Sequence, residues 1–151
     1  FLPVLTVMLA SMVPLLPTIA TAPLLPPLGF LMMIAWRLMR REIWPAWVGV
    51  PFGLFDDLFS GQPMGSAILL WTCSLLITEV LDRRMIWRDF RQDWGITSLL
   101  VAALLLIQFL IVDVAGQGNL VSLLPQLTLS ILIFPLVLRL CGFVDRFRNR
   151  R

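Results

Sequence analysis

The chain has 151 residues, of which 59% are hydrophobic and 14% are charged, and its formal net charge is +3. A soluble domain carries roughly 25% charged residues, so this chain lacks the polar residues that a water-facing surface needs. Its basic residues lie at the ends of apolar runs, which is typical of membrane anchoring. We therefore expect no nucleic-acid partner. The sequence contains no His, Lys or Tyr. The usual general bases and most metal ligands are therefore missing, and we expect no catalytic site, metal or cofactor.

Connections that carry basic residues alternate along the chain with connections that carry none, and this alternation predicts topology. All of the basic residues are arginines, and they follow the second, fourth and sixth apolar runs: Arg37, Arg40 and Arg41; Arg83, Arg84, Arg88 and Arg91; Arg139, Arg146, Arg148, Arg150 and Arg151. The other connections carry only the acids Asp56, Asp57 and Asp113. Because basic loops remain on the cytoplasmic side of a membrane, this pattern predicts an all-α protein with six transmembrane helices and both termini in the cytoplasm.

The apolar runs predict a single transmembrane domain over residues 1–151. Its helices are expected at about residues 1–16, 24–39, 44–59, 64–81, 94–114 and 120–140. Five of the eleven Pro residues lie between positions 14 and 27, which predicts an extended, stiff connection on the outer side. Since the first run opens at Phe1 without a Met, we expect a short cytoplasmic segment before it.

The second predicted span is short for a transmembrane helix. About 16 residues rise roughly 24 Å, and the hydrocarbon core of a membrane is about 30 Å thick. We therefore expect either local thinning of the bilayer or shelter of this helix among its neighbours. Trp36 and Arg37 at its end are expected at the level of the inner headgroups, as are Trp44 and Trp47 at the start of the third span.

Residues 82–93, between the fourth and fifth spans, allow two interpretations. As a helix, they would place Ile86, Trp87, Phe90 and Trp94 on one face, which is typical of a helix lying in the inner interface. As a solvated turn, they would be anchored to the membrane surface by the two Trp residues. The pattern favours neither interpretation.

Asp57 lies on a stripe of small residues in the third span. Gly49, Gly53 and Asp57 follow one another at intervals of four, so they share one face of a helix, and two such glycines allow a neighbouring helix backbone to approach closely. A carboxylate on this face should be buried in protein, because exposure to lipid is costly. We expect it to accept hydrogen bonds from Ser, Thr or backbone N–H groups. Asp56 is expected to be solvated at the end of the same helix.

Several polar residues lie within the other spans. Thr72, Gln126 and Ser130 are expected to form hydrogen bonds between helices, and Glu79 is expected to pair with Arg83 one turn further on. A transport path lined by such residues is the alternative, which the pattern favours less.

Residues 53–65 resemble the signature of the rod shape-determining protein MreD family. That signature has a glycine, an aspartate four residues on, then Ser-Gly, then a glycine at the start of the next span, matched here by Gly53, Asp57, Ser60, Gly61 and Gly65. Pro27, followed by an apolar span that ends in Trp36, is also similar to the family, as is the six-span layout. The motif-specific part of the resemblance covers about residues 27–70.

The resemblance implies a non-enzymatic subunit of the bacterial cell-elongation complex in the inner membrane. Such a subunit would bind an MreC-like bitopic scaffold protein. Through it, the subunit would support a RodA-type glycosyltransferase and its transpeptidase in lateral peptidoglycan synthesis and rod cell shape. Members of the family are expected to share a six-helix bundle with the substrate-binding components of energy-coupling-factor transporters. Within the motif, Gly61 and Gly65 would form a tight turn between the third and fourth spans.

Two other functions are left open by the sequence. A small-molecule-binding component of an energy-coupling-factor-type vitamin transporter would enclose a polar-lined cavity near the outer side. An intramembrane enzyme would have to use carboxylates such as Asp57 and Asp113, without His, Tyr or Lys. The motif and the scarcity of polar residues favour the interaction subunit over both.

Overall fold

The computed structural model describes residues 2–13, 26–40, 43–60, 64–84, 89–114 and 120–148. These residues form six α-helices: α1 (Leu2–Met12), α2 (Leu28–Met39), α3 (Gly49–Ser60), α4 (Ser66–Arg84), α5 (Phe90–Val114) and α6 (Leu120–Arg148). A 3-10 turn, Ala46–Val48, precedes α3. The described ranges contain no strand, which confirms the predicted all-α class. Most of the predicted Pro-rich connection lies outside these ranges.

The short second helix is sheltered by its neighbours. With 12 residues, α2 rises only about 18 Å. Every residue from Gly29 to Arg37 is buried, because α2 packs against α1, α5 and α6 and its Phe30 ring lies 5.9 Å from the Trp71 ring of α4. A helix that is apolar on all sides belongs in the interior of a bundle. Of the two explanations for its shortness, the structure therefore supports shelter among neighbouring helices.

Trp36 and Arg37, which were expected at the level of the inner headgroups, are both buried in protein. Trp36 has no exposed surface, and its Nε1–H donates a 3.0 Å hydrogen bond to Thr6 Oγ1 on α1. Arg37 is 5% exposed, and its guanidinium lies 3.3 Å from the Asp82 carboxylate of α4. Neighbouring helices that lie far away in the sequence cover both side chains, and the sequence pattern alone does not show this.

The two Trp residues before α3 have different surroundings. Trp47 is 68% exposed, as expected for a residue at a membrane interface. Trp44 is 6% exposed, and its ring packs edge-on against Phe52, with 5.1 Å between ring centroids. Trp44 is therefore covered by protein. It belongs to an aromatic cluster in which the Phe52 ring also lies next to the Trp71 ring.

The connector at residues 82–93 is described only at its two ends. Its first residues extend α4 to Arg84, and its last residues form the start of α5 from Phe90 onwards. The side chains of Ile86, Trp87 and Phe90 lie outside the described part of the chain. Both interpretations of this connector depend on residues 85–88, which lie outside the described part of the chain.

The outer helices are apolar on the surface that they expose. By length and composition, two helical segments could cross a membrane, Arg91–Ile111 in α5 and Leu123–Arg146 in α6. In the most apolar 18-residue stretch of each segment, only 28% and 22% of the residues are buried, whereas the core helix of a soluble protein is mostly buried. Large side chains such as Leu99 and Leu132 are more than 70% exposed. Exposed apolar faces of this kind are typical of helices that contact lipid or a protein partner.

The carboxyl ends of α2, α4 and α6 lie together at one end of the bundle, which we call the basic end. Arg37 of α2 pairs with Asp82 of α4 at 3.3 Å, and Arg40, just after α2, pairs with Asp145 of α6 at 3.0 Å. These contacts bring the carboxyl ends of the three helices together. Described members of all three arginine groups, among them Arg37, Arg83 and Arg146, therefore lie at this end.

Candidate functional site at the α3–α4 junction

Helices α3 and α4 are in backbone contact at the two glycines of the predicted stripe. A Cβ atom built on Gly49 would lie 2.7 Å from the Cα of Thr72, and one built on Gly53 would lie 2.5 Å from the Cα of Ile68. Neither position has room for any side chain. Because Gly49 and Gly53 are one turn apart, as are Ile68 and Thr72, the helices run antiparallel with their backbones adjacent over a full turn. The predicted close approach is confirmed.

Asp57, one turn beyond Gly53, binds the start of α4. The residue is 3% exposed. It accepts hydrogen bonds from the backbone N–H groups of Gly65 (2.8 Å) and Ala67 (3.0 Å) and from the Ser66 hydroxyl (3.2 Å). A longer contact of 3.4 Å joins it to the N–H of Ile68. This confirms the prediction that Asp57 is a buried acceptor.

Asp57 provides the hydrogen-bond acceptor that the first turn of α4 lacks. The first four N–H groups of a helix have no partner within the helix, and the partial positive charge at this end favours an anion. Asp57 therefore caps α4 from a neighbouring helix, whereas a cap commonly comes from the residue just before the helix. We call this contact, made of Gly49, Gly53 and Asp57 on α3 and the segment 65–72, the α3–α4 junction.

Gly65 has a positive φ angle, which glycine adopts easily because it has no side chain. Its φ angle is 101°, a region that other residues rarely adopt. This conformation directs the Gly65 N–H at Asp57, 2.8 Å away. The motif residue Gly61 and the side chain of Ser60 lie outside the described part of the chain, so the predicted turn is described only from Met64 onwards.

Asp56 is not the solvated residue that the sequence led us to expect. It is half-buried, and its carboxylate is hydrogen-bonded to Ser11 of α1. Ser11 is itself 5% exposed and fills the space above Gly29 of α2, where a Cβ would overlap the Ser11 hydroxyl. The prediction failed because α1 packs across α3. Sequence analysis missed Ser11 and Gly29, whose only signal was a small residue in each of two apolar runs.

Trp36, the remaining residue that the sequence associated with the motif, is not at the junction. It lies near the carboxyl end of α2 and therefore towards the basic end, whereas Asp57 lies at the opposite end of the bundle. Its hydrogen bond to Thr6 joins α2 to α1. Trp36 thus contributes to packing at a separate place.

The polar residues inside the spans bond mainly within their own helices. Thr72 donates to the carbonyl of Ile68 and Ser130 to that of Gln126, each at 2.7 Å. The predicted hydrogen bonds between helices are therefore wrong for Thr72 and Ser130, whose hydroxyls reach the carbonyl four residues back. The ion pair between Glu79 and Arg83 is confirmed at 2.7 Å.

The chemistry available at the α3–α4 junction is that of a structural contact. Asp57 accepts hydrogen bonds from N–H and O–H donors at the start of α4, and these bonds hold α3 against α4. Within the described ranges, no three His, Cys, Asp or Glu side chains are grouped so that they could hold a metal ion. The side chain of Asp113, in the last turn of α5, lies outside the description.

Comparison with known proteins adds no assignment: no protein-family model matches the chain, and no curated protein or solved structure shows significant similarity to it.

Proposed function

We propose that the protein is a non-enzymatic membrane subunit of a bacterial cell-elongation complex, with six spans and both termini in the cytoplasm. It binds an MreC-like bitopic scaffold and thereby supports a RodA-type glycosyltransferase and its transpeptidase in lateral peptidoglycan synthesis. The observation that carries this proposal is the α3–α4 junction, in which Gly53, Asp57 and Gly65 of the family-like motif form one continuous contact.

The geometry of these residues supports a docking role. Each makes its contribution by its shape or its hydrogen bonds: the glycines by allowing backbone contact, Asp57 by capping α4. The result is a rigid antiparallel helix pair. Exposed apolar side chains flank it, including Leu54 and Leu58 on α3 and Leu69 on α4. A partner with a single transmembrane helix can pack on such a face through van der Waals contact.

The charge distribution supports the proposed topology. The arginine groups of α2, α4 and α6 meet at the basic end, and the Asp57 end of the bundle is opposite. If the basic end faces the cytoplasm, the α3–α4 junction lies at the outer surface, where a periplasmic scaffold domain is within reach.

Co-purification tests the proposal. The tagged chain, extracted in mild detergent from its native membrane, should retain an MreC-like scaffold as its main partner. Recovery of an ATPase-coupled module in its place would favour the transporter alternative, and recovery of neither would contradict the proposed complex. A tagged membrane protein of similar size from the same cells, purified in parallel, shows which partners are retained nonspecifically.

A further inference from the structure

A cleft of about 700 Å³ opens at the basic end between α2, α5 and α6. Leu38 and Met39 form its wall on α2, Asp93 lies at its α5 edge, and α6 contributes Arg139, Phe143 and Arg146. Gly142 forms the floor of the cleft and leaves space there, because it has no side chain. A Cβ built on it would contact only the tip of the Met39 side chain, at 3.7 Å. The cleft thus combines apolar walls with two cationic side chains, and it lies away from the α3–α4 junction.

The two cleft arginines differ from the other arginines at this end of the bundle. Arg37 and Arg40 pair with Asp82 and Asp145. Arg139 and Arg146 form no ion pair with any carboxylate of the described residues, and both are exposed. The cleft therefore has an excess of positive charge even with Asp93 at its edge.

Arg139 lies in apolar surroundings, where its positive charge requires a nearby anion. It lies inside the apolar segment Leu123–Arg146, and its neighbour Leu140 is 51% exposed. A cation on the outward face of a membrane helix is costly unless it reaches the interface or pairs with an anion. Arg146 lies seven residues on, about two turns and roughly 10.5 Å along the same helix, on nearly the same face.

We propose that this cleft binds an anionic phospholipid, with the phosphate between Arg139 and Arg146 and an acyl chain along Phe143 and Met39. The guanidinium group of arginine can donate two parallel hydrogen bonds to phosphate oxygens. Basic pockets between transmembrane helices bind anionic lipid headgroups. A soluble anion would use the charges but leave the apolar walls uncovered, whereas a lipid uses both. The inference rests on the proposed topology, which places the basic end in the inner leaflet.

Native mass spectrometry of the purified full chain, titrated with phosphatidylglycerol in detergent, tests the proposal. The double variant Arg139→Ala/Arg146→Ala should bind the lipid about 30-fold more weakly, since each arginine near an anionic surface strengthens binding roughly fivefold. The matched control is Arg84→Ala/Arg91→Ala, which removes two exposed arginines outside the cleft. This control should bind within about twofold of the original chain, and an equal loss in both double variants would overturn the proposal.

Two further experiments test whether the shape of the cleft matters and whether the ligand is a lipid or a soluble phosphate. Gly142→Leu keeps both arginines but fills the floor of the cleft, and it should weaken phosphatidylglycerol binding at least several-fold. It also keeps the test open if the double variant fails to fold. Glycerol phosphate, which has the headgroup charge without acyl chains, should not displace the lipid at equal concentration. Displacement by glycerol phosphate, or equal binding of phosphatidylcholine, would contradict an anionic-lipid site. Loss of lipid binding with the scaffold retained leaves the proposed function intact.

Discussion

Two adjacent carboxylates, Asp56 and Asp57, differ in what they stabilise. Asp57 accepts from two backbone N–H groups and one hydroxyl at the start of α4, whereas Asp56 is hydrogen-bonded to Ser11 of α1. Hydrogen bonds to a charged group contribute about 1.5–3 kcal/mol each in net stability, and a buried donor left without a partner costs about 1–3 kcal/mol. Loss of Asp57 therefore leaves several N–H groups of α4 unsatisfied at once.

At this scale we predict that Asp57→Ala lowers the free energy of unfolding by about 1–3 kcal/mol or more. Thermal unfolding of the purified protein in detergent measures the effect. Asp56→Ala, which removes the bond to Ser11, should cost less, on the order of 1 kcal/mol. The control is Glu79→Ala, whose ion pair with Arg83 is largely exposed and contributes at most about 0.5 kcal/mol. Equal unfolding temperatures for the Asp57 and Glu79 variants would contradict the capping role.

At the scale of helices, α3 and α4 form the most extensive contact of the bundle. Gly49 and Gly53 reduce the intrinsic stability of α3, since glycine in a helix costs about 1 kcal/mol relative to alanine. The gain is direct contact between the backbones of α3 and α4. Helix pairs in membranes depend on van der Waals packing of this kind, because lipid gives apolar helix faces no reason to associate.

Alanine at two glycines should therefore have opposite effects. Gly53→Ala places a methyl group 2.5 Å from the Ile68 backbone, and forcing the helices apart should cost about 1–3 kcal/mol. Gly95→Ala in α5, where nothing lies within 4 Å, should be neutral or stabilise by up to about 1 kcal/mol. Unfolding in detergent measures both, and pull-down should show loss of the scaffold partner for Gly53→Ala only. A stabilising Gly53→Ala would show that the helices are not held in backbone contact.

At the scale of the whole molecule, charge and apolar surface are separated. Apolar side chains cover the outward faces of α5 and α6, and arginines gather at the basic end. There, Arg37 and Asp82 form an ion pair whose side chains are only 6% and 11% exposed. A buried charge without its partner is strongly destabilising. The pair therefore holds α2 and α4 together at the basic end, as the α3–α4 junction holds α3 and α4 at the other.

Cysteine labelling tests the orientation of this molecule in the membrane. In a chain whose Cys73 and Cys141 are replaced, single cysteines are introduced as Ser60→Cys, Gly118→Cys and Arg88→Cys. An impermeant thiol reagent added outside intact inner membranes of native orientation should label the first two, because the proposed topology places positions 60 and 118 on the outer side. Position 88 should react only after permeabilisation. Labelling of position 88 from outside would contradict the six-span topology with both termini in the cytoplasm.

The sequence by itself determined the helical class and the grouping of arginines at one end, because hydrophobic runs and charge alternation are properties of neighbouring residues. It also determined the face of α3 that carries Gly49, Gly53 and Asp57, since helical periodicity relates residues four apart. The hydrogen bonds of Asp57 could be predicted without knowing any distant contact, because the acceptor and its donors are separated only by the short α3–α4 connection.

Only the tertiary structure decided which helix faces are covered. Trp36 and Arg37, expected at the level of the inner headgroups, are covered by protein, and Thr6 and Asp82 reach them from helices distant in the sequence. Asp56 is half-buried for the same reason, through Ser11. In an apolar chain, lipid-facing and protein-facing surfaces have nearly the same composition, since both exclude water. Composition therefore cannot separate them, and the packing of distant helices does.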